Sequence, residues 1–360
     1  MRMSCHYPAQ ICAIGLGLAL CTSHIRASET EVDSASEVHE EAVALDLYVP
    51  PHRKELATPV YPRQALVKNR EGWVRLEFMV DPQGKAYEIS VSRSMGDPLF
   101  EMAAIRALKK STFEPARIDG QPADAGASQQ YVFALEGGSK GAGAWFLRLY
   151  KFAMRAIAEG NREQAEEYVA SLEKGTRLNL YEDAYLHIVK FNYYQKWGDK
   201  HQQLHALDRA VAHEFAEKNL PEELFVDCQR ARFMLLVETG DYERAVRTYR
   251  MLKVMNLEEP VIEALRTVVD QLETLRADDR AYTVPGDFGE NTSWSYHLFK
   301  DEFSIDAVQG DIAEIKLRCW TGYVFFRFQP DVKYKVAGGW NRCQLELVGN
   351  PGTTFALTQS

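Results

Sequence analysis

The protein has 360 residues, of which 46% are hydrophobic and 26% are charged. These proportions are ordinary for soluble globular proteins and exclude a wholly disordered chain, a collagen and a polytopic membrane protein. At about 150 residues per domain, the length allows two or three domains. The 42 Lys and Arg residues against 51 Asp and Glu give a net charge of −9, which disfavours general nucleic-acid binding because like charges repel.

Residues 1–27 have the features of a secretory signal peptide. An apolar run, Ile11 to Cys21, follows Arg2 and is shorter than the roughly 20 residues of a membrane-spanning helix. We expect cleavage after the small Ala27; the alternative is lipidation of Cys21, although Leu20 stands where a small residue is usual. Either outcome predicts an exported chain, and a retained leader or a lipidated Cys21 would hold it at a membrane.

Residues 28–44 predict a flexible acidic linker. The segment has no Lys or Arg, and its acidic residues are Glu29, Glu31, Asp33, Glu37, Glu40 and Glu41. Like charges repel one another and the segment has little apolar surface to bury, so a packed structure is not expected.

Residues 45–136 predict a small α+β domain. Apolar and polar residues alternate along Gly72–Val80, which predicts a strand with one buried face. The turn sequence Asp81-Pro82-Gln83-Gly84 leads into a second strand, Lys85–Ser92. A short helix is predicted from Tyr61 to Leu66, and a second begins at Asp97-Pro98, where Asp97 can cap and Pro98 suits the first turn.

The motifs of this region resemble the C-terminal domain of the TonB family. No single motif is specific, but their common order makes the match specific, and it covers about a quarter of the chain. The matching motifs are Pro59-Val60-Tyr61-Pro62, Ala65, Glu71-Gly72-Trp73-Val74, Asp81-Pro82-Gln83-Gly84, Ser94, Phe100, Ala103-Ala104, Ala107, Phe113-Glu114-Pro115-Ala116 and Gly120-Gln121-Pro122.

The resemblance implies a periplasmic domain with a small sheet and two helices packed on one face. It also implies capture of an extended segment of an outer-membrane transporter by strand addition, in which a guest peptide pairs with the edge of the sheet. By similarity the edge is the last strand, Gln129–Leu135. The partner-binding residues implied in this way are Thr58, Tyr61, Pro62, Arg63, Gln129, Tyr131, Val132 and Phe133.

Two of these features have other interpretations. Tyr61 and Pro62 could simply cap and staple a helix, and Thr58 stands where the family often has Gln. Energy transducers of the family also have a membrane-spanning anchor that contacts a proton-driven motor, and a long Pro-rich spacer. Here the leader is short, and residues 28–58 contain only Pro50 and Pro51.

We therefore expect a non-enzymatic periplasmic adaptor linked to outer-membrane transport, without a cofactor, metal or small-molecule substrate. One alternative is a working transducer that couples the inner-membrane proton-motive force to outer-membrane transporters. Another is a cell-envelope enzyme, although no catalytic triad, Cys-His pair, metal cluster or paired carboxylates stand out by spacing.

After a Gly-rich linker at residues 137–143, residues 144–278 predict α-helical repeats. Turn motifs recur at Gly160-Asn161, Gly198-Asp199 and Gly240-Asp241, at separations of 38 and 42 residues. The pattern resembles degenerate tetratricopeptide repeats, whose period is about 34 residues. We expect three helical hairpins and a last helix at Pro260–Arg276. Such a solenoid either binds a peptide in its concave groove or acts as a spacer.

Residues 281–360 predict a small antiparallel β domain, such as a sandwich. Strands are predicted at Ser295–Leu298, Glu302–Val308, Ile312–Cys319, Tyr323–Gln329, Cys343–Val348 and Thr354–Leu357. After removal of the leader three cysteines remain. The simplest pairing joins Cys319 to Cys343 and leaves Cys228, on a helical pattern, as a buried thiol.

The leader gives a first testable prediction. Sequencing and intact-mass measurement of the native protein should show a chain that begins at Ser28, because Ala27 provides the small residue at the cut. Replacing Ala27→Arg should leave a longer chain. A lipid-modified start at Cys21 would contradict cleavage at Ala27, and an uncleaved leader would favour the transducer interpretation.

Overall fold

The computed structural model describes residues 48–136, 141–174, 178–212, 219–255 and 259–360. The predicted leader, the acidic linker and residues 137–140 of the Gly-rich linker lie outside the described residues. The described residues fall within one folded unit, Asp46–Ser360.

The first part of the chain is built around a three-stranded antiparallel sheet. Its elements are β1 (Tyr48–Val49), β2 (His52–Glu55), α1 (Arg63–Val67), β3 (Gly72–Val80), β4 (Ala86–Ser94), α2 (Pro98–Leu108), β5 (Thr112–Glu114), β6 (Ala116–Ile118), β7 (Gln121–Ala123) and β8 (Ala125–Phe133). The strand order is β4-β3-β8, so β3 is central. β3 and β8 pair without a register shift from Gly72–Phe133 to Val80–Ala125.

One face of this sheet packs on both helices. The side chains of Val74, Leu76 and Phe78 are fully buried and share a core with Ala65 of α1 and Phe100 of α2. Asp97 caps α2 by accepting a hydrogen bond from the amide of Leu99, as the sequence predicts. Two helices therefore cover one face of the sheet, which is the arrangement that the family resemblance implies.

The last strand differs from its prediction. We expected a strand at Gln129–Leu135, whereas β8 runs from Ala125 to Phe133. The segment Ala125-Gly126-Ala127-Ser128 has weak strand propensity, but it pairs along the whole length of β3, and this pairing decides its structure. The short strands β1, β2 and β5 to β7 are additional to the prediction.

Helices form the second part of the chain. Over the described residues between 141 and 279 they are α3 (Ala144–Glu159), α4 (Arg162–Glu173), α5 (Leu180–Trp197), α6 (Lys200–Ala210), α7 (Glu222–Glu238), α8 (Tyr242–Lys253) and α9 (Glu259–Ala277). Among the helices of the described residues, none is long and apolar enough to cross a membrane.

The recurring turn motifs explain how these helices pair. Gly160 has a left-handed φ of 78° and ends α3, and Asn161 caps α4 by accepting a hydrogen bond from the amide of Gln164. Asp199 forms a capping box at the start of α6. Gly240, with a φ of 77°, precedes α8. Each motif therefore reverses the chain within a helix pair; their assignment as tetratricopeptide repeats stays a prediction.

The C-terminal part is a β-sandwich. Its strands are β9 (Tyr282–Asp287), β10 (Ser293–His297), β11 (Glu302–Gln309), β12 (Ile312–Cys319), β13 (Gly322–Arg327), β14 (Lys333–Lys335), β15 (Gln344–Gly349) and β16 (Thr354–Gln359). They form two antiparallel sheets of order β10-β15-β12-β13 and β14-β11-β16-β9. Both sheets contribute to one core, which includes Phe303 and Leu357 from one sheet and Ile315 and Leu345 from the other. The strands β9 and β14 are additional to the prediction.

A disulfide joins Cys319 at the end of β12 to Cys343 beside the start of β15, which is the pairing predicted from the sequence. The neighbouring residues Arg318 and Gln344 are partners in the β12–β15 register, so the bond closes one end of this strand pair. The side chain of Cys228 is buried, as predicted.

The disulfide gives a second prediction. Closing a 24-residue loop removes chain entropy from the unfolded state, so reduction should lower the free energy of unfolding of the sandwich by about 3 kcal/mol. Denaturant unfolding followed by hydrogen exchange of β12 and β15, with and without reductant, measures this loss. The double variant Cys319→Ala/Cys343→Ala should not respond to reductant, whereas Cys228→Ala should respond like the parent. An unresponsive parent would contradict the prediction.

Candidate functional site

The outer edge of β8 is the first candidate site. Within the sheet, β8 pairs only with β3, on one side. In an antiparallel strand, successive residues direct their main-chain groups alternately to the two sides. The amide of Gly126 donates to the carbonyl of Trp320, so it points away from β3. By alternation, the N–H and C=O groups of Ser128, Gln130 and Val132 also point away from β3.

Most of these outward groups have no partner among the described residues. Gln129 Nε2 donates to the carbonyl of Gln130 at 2.6 Å. No other hydrogen bond to the main chain of Ser128, Gln130 or Val132 occurs within the part of the chain that the structure describes. A cavity of about 280 Å³, lined by Gly126 to Ser128 together with Tyr48, Pro50 and Trp320, lies beside the first half of this edge.

The structure places several of the predicted partner-binding side chains in the core. Gln129, Tyr131 and Phe133 are 6%, 4% and 2% exposed, so their side chains do not face a partner. The available groups along this strand are therefore mainly those of the main chain. Val132 is half-buried and lies on the opposite face.

Two of the predicted partner-binding residues before β3, Tyr61 and Pro62, have structural roles. Tyr61 packs edge-on against Phe100 and Phe133, and its hydroxyl donates to the carbonyl of Arg70. Burial is the main reason that the pKa of Tyr61 rises to about 12. Pro62 is the N-cap of α1. The side chains of Thr58 and Arg63 are exposed, and a contact of these residues with a partner stays a prediction.

The second face of the sheet lines a central cavity of about 530 Å³, which the sequence analysis did not anticipate. All three parts of the chain contribute to its walls. The lining residues that carry polar or charged groups include Arg75 and Glu77 of β3, Arg93 of β4, Asp208, Arg232 and Arg244 of the helices, and His297, Arg318 and Gln344 of the sandwich.

Asp208 joins the sheet to the helices at this cavity. Its carboxylate lies 3.1 Å from Arg93 Nη2 of the sheet and 2.7 Å from Arg232 Nε, and it also binds Arg244. Arg244 in turn lies 3.0 Å from Asp241. Burial alone would raise the pKa of Asp208, but the guanidinium groups of these three arginines hold that pKa well below its ordinary value. The carboxylate is therefore ionised and shared by three cations.

Trp73 makes a second contact between the sheet and the helices. Its indole N–H donates to Asp183 Oδ2 at 3.4 Å, and the Arg209 guanidinium lies 5.6 Å from its ring centroid. Arg209 also lies 3.2 Å from Asp183. The surface of α5 and α6 that holds these residues is consequently covered by the chain's own sheet and is not free to take a peptide.

The sandwich covers the other end of the same face. Arg318 donates to Ser90 Oγ at 3.3 Å and to the carbonyl of Glu88 at 3.0 Å. Gly126 allows a close approach, because a Cβ at this position would lie 2.8 Å from the carbonyl oxygen of Cys319. The sheet is thus held between the helices and the sandwich, and the cavity lies between these contacts.

Comparisons with known proteins concern the first part of the chain. Residues 57–135 match the family model described as Gram-negative bacterial TonB protein C-terminal. Protein TonB of Pseudomonas aeruginosa is 31% identical over 78 residues, which are 22% of this chain and 23% of that protein. The chain therefore spans about a quarter of the length of this curated relative.

Two solved structures are also similar to this region. The solution NMR structure of the Pseudomonas aeruginosa TonB C-terminal domain is 27% identical and covers 25% of this chain and 91% of that chain, with a TM-score of 0.23. The TonB2 protein of Vibrio anguillarum is 30% identical and covers 31% of this chain and 99% of that chain, with a TM-score of 0.19.

The ion pairs of Asp208 give a third prediction. Asp208→Asn leaves three half-buried guanidinium groups without their shared carboxylate and should lower the free energy of unfolding at pH 7 by about 3–5 kcal/mol. Asp227→Asn, which changes an exposed carboxylate 3.6 Å from Arg230, should cost less than about 1 kcal/mol. Denaturant unfolding of the three proteins measures both effects.

The difference between parent and Asp208→Asn should also depend on pH. The folded-state pKa of Asp208 is depressed, so its contribution is complete above the ordinary Asp pKa of about 3.9 and falls as the pH drops below that value. The parent should therefore approach the variant in acid. A difference of less than about 1 kcal/mol at pH 7 would contradict the role of Asp208.

Proposed function

We propose that the protein is a TonB-like adaptor linked to outer-membrane transport, because residues 57–135 match the family model of the TonB C-terminal domain. It binds an extended segment of a partner, an outer-membrane transporter, by strand addition along β8 in the periplasm. The observation that carries this proposal is the open outer edge of β8 between Ser128 and Val132.

The two edges of the sheet are not equivalent, and the difference favours β8. The β3–β4 pairing contains register shifts, and Glu88 of β4 has a φ of 45°. Irregularities of this kind hinder the addition of a further strand. The carbonyl of Glu88 also accepts a hydrogen bond from Arg318. In contrast, β8 pairs regularly with β3 and offers its outward groups at the spacing of a continuous strand.

The number of available groups sets the scale of the affinity. The three outward residues carry six main-chain groups, and the Gln130 carbonyl is already bonded, which leaves five. At a net gain of about 1 kcal/mol for each hydrogen bond, the main chain contributes about 5 kcal/mol. A Kd of 1 μM corresponds to about 8 kcal/mol, so guest side chains must supply the remainder and the affinity should be micromolar or weaker.

The sandwich limits how far a guest strand extends. The outward amide of Gly126 is bonded to Trp320, so a guest cannot pair with β8 beyond Ser128 in that direction. After β8, the amide of Leu135 donates to Glu71 Oε1 at 3.0 Å, which fixes the chain at the other end. We therefore propose a short guest segment that lies beside residues 128–132.

A proline substitution gives the fourth prediction and tests strand addition. Gln130→Pro removes an outward N–H but no hydrogen bond to β3, so the domain should fold and peptide binding should weaken at least tenfold. Gln130→Thr retains the N–H and should bind like the parent. Isothermal titration of the full chain with peptides from the N-terminal segments of outer-membrane transporters measures both affinities.

Circular dichroism and hydrogen exchange of β3 should show that both variants retain the parent sheet. Equal binding by the parent and Gln130→Pro would place the peptide elsewhere and overturn strand addition at β8. Absence of binding by the parent to every transporter peptide would overturn the proposed class of partner.

A further inference from the structure

The central cavity is positively charged although the whole chain carries a net charge of −9. Four acidic side chains line the cavity: Glu77, Asp208, Asp241 and Glu346. Six arginine side chains line it: Arg75, Arg93, Arg232, Arg244, Arg247 and Arg318. The lining therefore has two more positive than negative groups, and an acidic protein that concentrates arginines in one cavity creates a local attraction for anions.

The carboxylates at the cavity do not neutralise its arginines evenly. Asp208 and Asp241 are bound to Arg93, Arg232 and Arg244. Glu346 lies directly opposite Lys316 in the β15–β12 register, whereas Lys316 Nζ lies 3.8 Å from Glu314. Arg247 Nε lies 3.0 Å from Glu243 Oε1, which leaves Arg75 and Arg318 to be considered.

Arg75 and Arg318 have no carboxylate within 4.0 Å among the residues that the structure describes. Among hydrogen bonds of the described residues, Arg75 donates to Ser128 Oγ alone, at 3.3 Å, and Arg318 donates to Ser90 Oγ and the Glu88 carbonyl. The Arg318 Nε atom is buried without a hydrogen-bond partner within the described ranges. Buried donors of this kind are normally satisfied, so a further acceptor is expected near Arg318.

Three arginines of the lining lie where two cavities meet. Arg75, Arg247 and Arg318 line both the large cavity and an adjoining one of about 110 Å³, as do Glu77, His297 and Gln344. Arg75 is in β3 of the sheet, Arg247 is in α8 of the helical part and Arg318 is in β12 of the sandwich. Each of the three parts of the fold therefore contributes one arginine. The smaller cavity adds a further arginine, Arg342.

The pKa of His297 is affected by the positive charge around it. Burial lowers its pKa well below the ordinary value, and the guanidinium groups of Arg247, Arg244, Arg93 and Arg75 lower it further. His297 is therefore neutral at pH 7 and can serve as a hydrogen-bond partner without adding charge.

We propose that the boundary between the two cavities binds a small multivalent oxyanion, held by Arg75, Arg247 and Arg318 with His297 and Gln344 as hydrogen-bonding neighbours. Planar guanidinium groups bind phosphate and carboxylate oxygens through paired N–H donors. A volume of about 530 Å³ is in the range of small-molecule sites. The shared chemistry of the ligand is two or more oxyanion groups, on a phosphorylated or a polycarboxylate solute.

This site and the proposed peptide edge use different groups of the protein. The ligand contacts side chains on the cavity face of the sheet, whereas a guest strand pairs with the main chain along the outer edge of β8. An occupant would bridge all three parts of the chain, and so it should stabilise their arrangement as well as bind.

The fifth prediction uses inorganic pyrophosphate and citrate as probes of the two ligand sources. Isothermal titration of the full chain at low ionic strength should show binding of at least one probe, and the tighter probe identifies the source. Arg75→Gln and Arg318→Gln should each weaken that binding at least tenfold. The matched control Arg148→Gln changes an exposed arginine of α3 and should bind like the parent. The ring resonances of His297 should shift in NMR spectra on binding.

Two further comparisons separate a loss of anion binding from a loss of folding or of peptide binding. Arg75 is exposed to the cavity, so Arg75→Gln should retain the parent's unfolding transition even if Arg318→Gln weakens the sandwich contact. Gln130→Pro should bind the anion normally, so the peptide edge and the anion site can fail independently. Absence of binding by both probes, or equal binding by Arg75→Gln and the parent, would overturn the anion site.

Discussion

The structure depends on the burial of β3 on both of its faces. One face carries Val74, Leu76 and Phe78 into the core with the helices of the same domain. The other face carries Trp73 and Met79, which are 1% and 0% exposed, although α1 and α2 do not lie on that side. Covering this second face requires another part of the chain, and the helices and the sandwich provide it. The small domain is therefore a central element to which the rest of the protein is attached.

The charged side chains on the second face of β3 determine how that face is covered. Arg75 and Glu77 lie between the buried apolar residues of the same face, so a dry interface would bury their charges at high cost. A cavity between the parts leaves these groups hydrated or paired instead. Asp208 fixes the arrangement because it is shared by Arg93 of the sheet and by two arginines of the helices. Shared ion pairs of this kind add little net stability compared with apolar packing, but they are sensitive to position and favour one arrangement of the parts.

Local patterns in the sequence were sufficient for the elements but not for their assembly. The alternation along Gly72–Val80, the Asp97 cap and the glycine turns between helices act over a few residues, and the structure contains each of them. The start of β8 was missed because Ala125 to Ser128 become a strand only through pairing with β3. The cavity was missed because Arg75, Arg247 and Arg318 are far apart in the sequence. A signal was nevertheless present, since Trp73 and Met79 are apolar residues on the face interpreted as solvent-exposed.

The edge of β8 and the smaller cavity share Ser128, and this gives them a physical connection. The main chain of Ser128 lies on the open edge, while its hydroxyl accepts a hydrogen bond from Arg75 on the cavity face. A guest strand would fix the backbone of Ser128. An anion would change the position of the Arg75 guanidinium relative to the Ser128 hydroxyl. Any difference in the position of Ser128 between the two occupied states is then a coupling free energy that acts equally in both directions. The contact between Ser128 and Arg75 therefore links the proposed partner site to the proposed anion site.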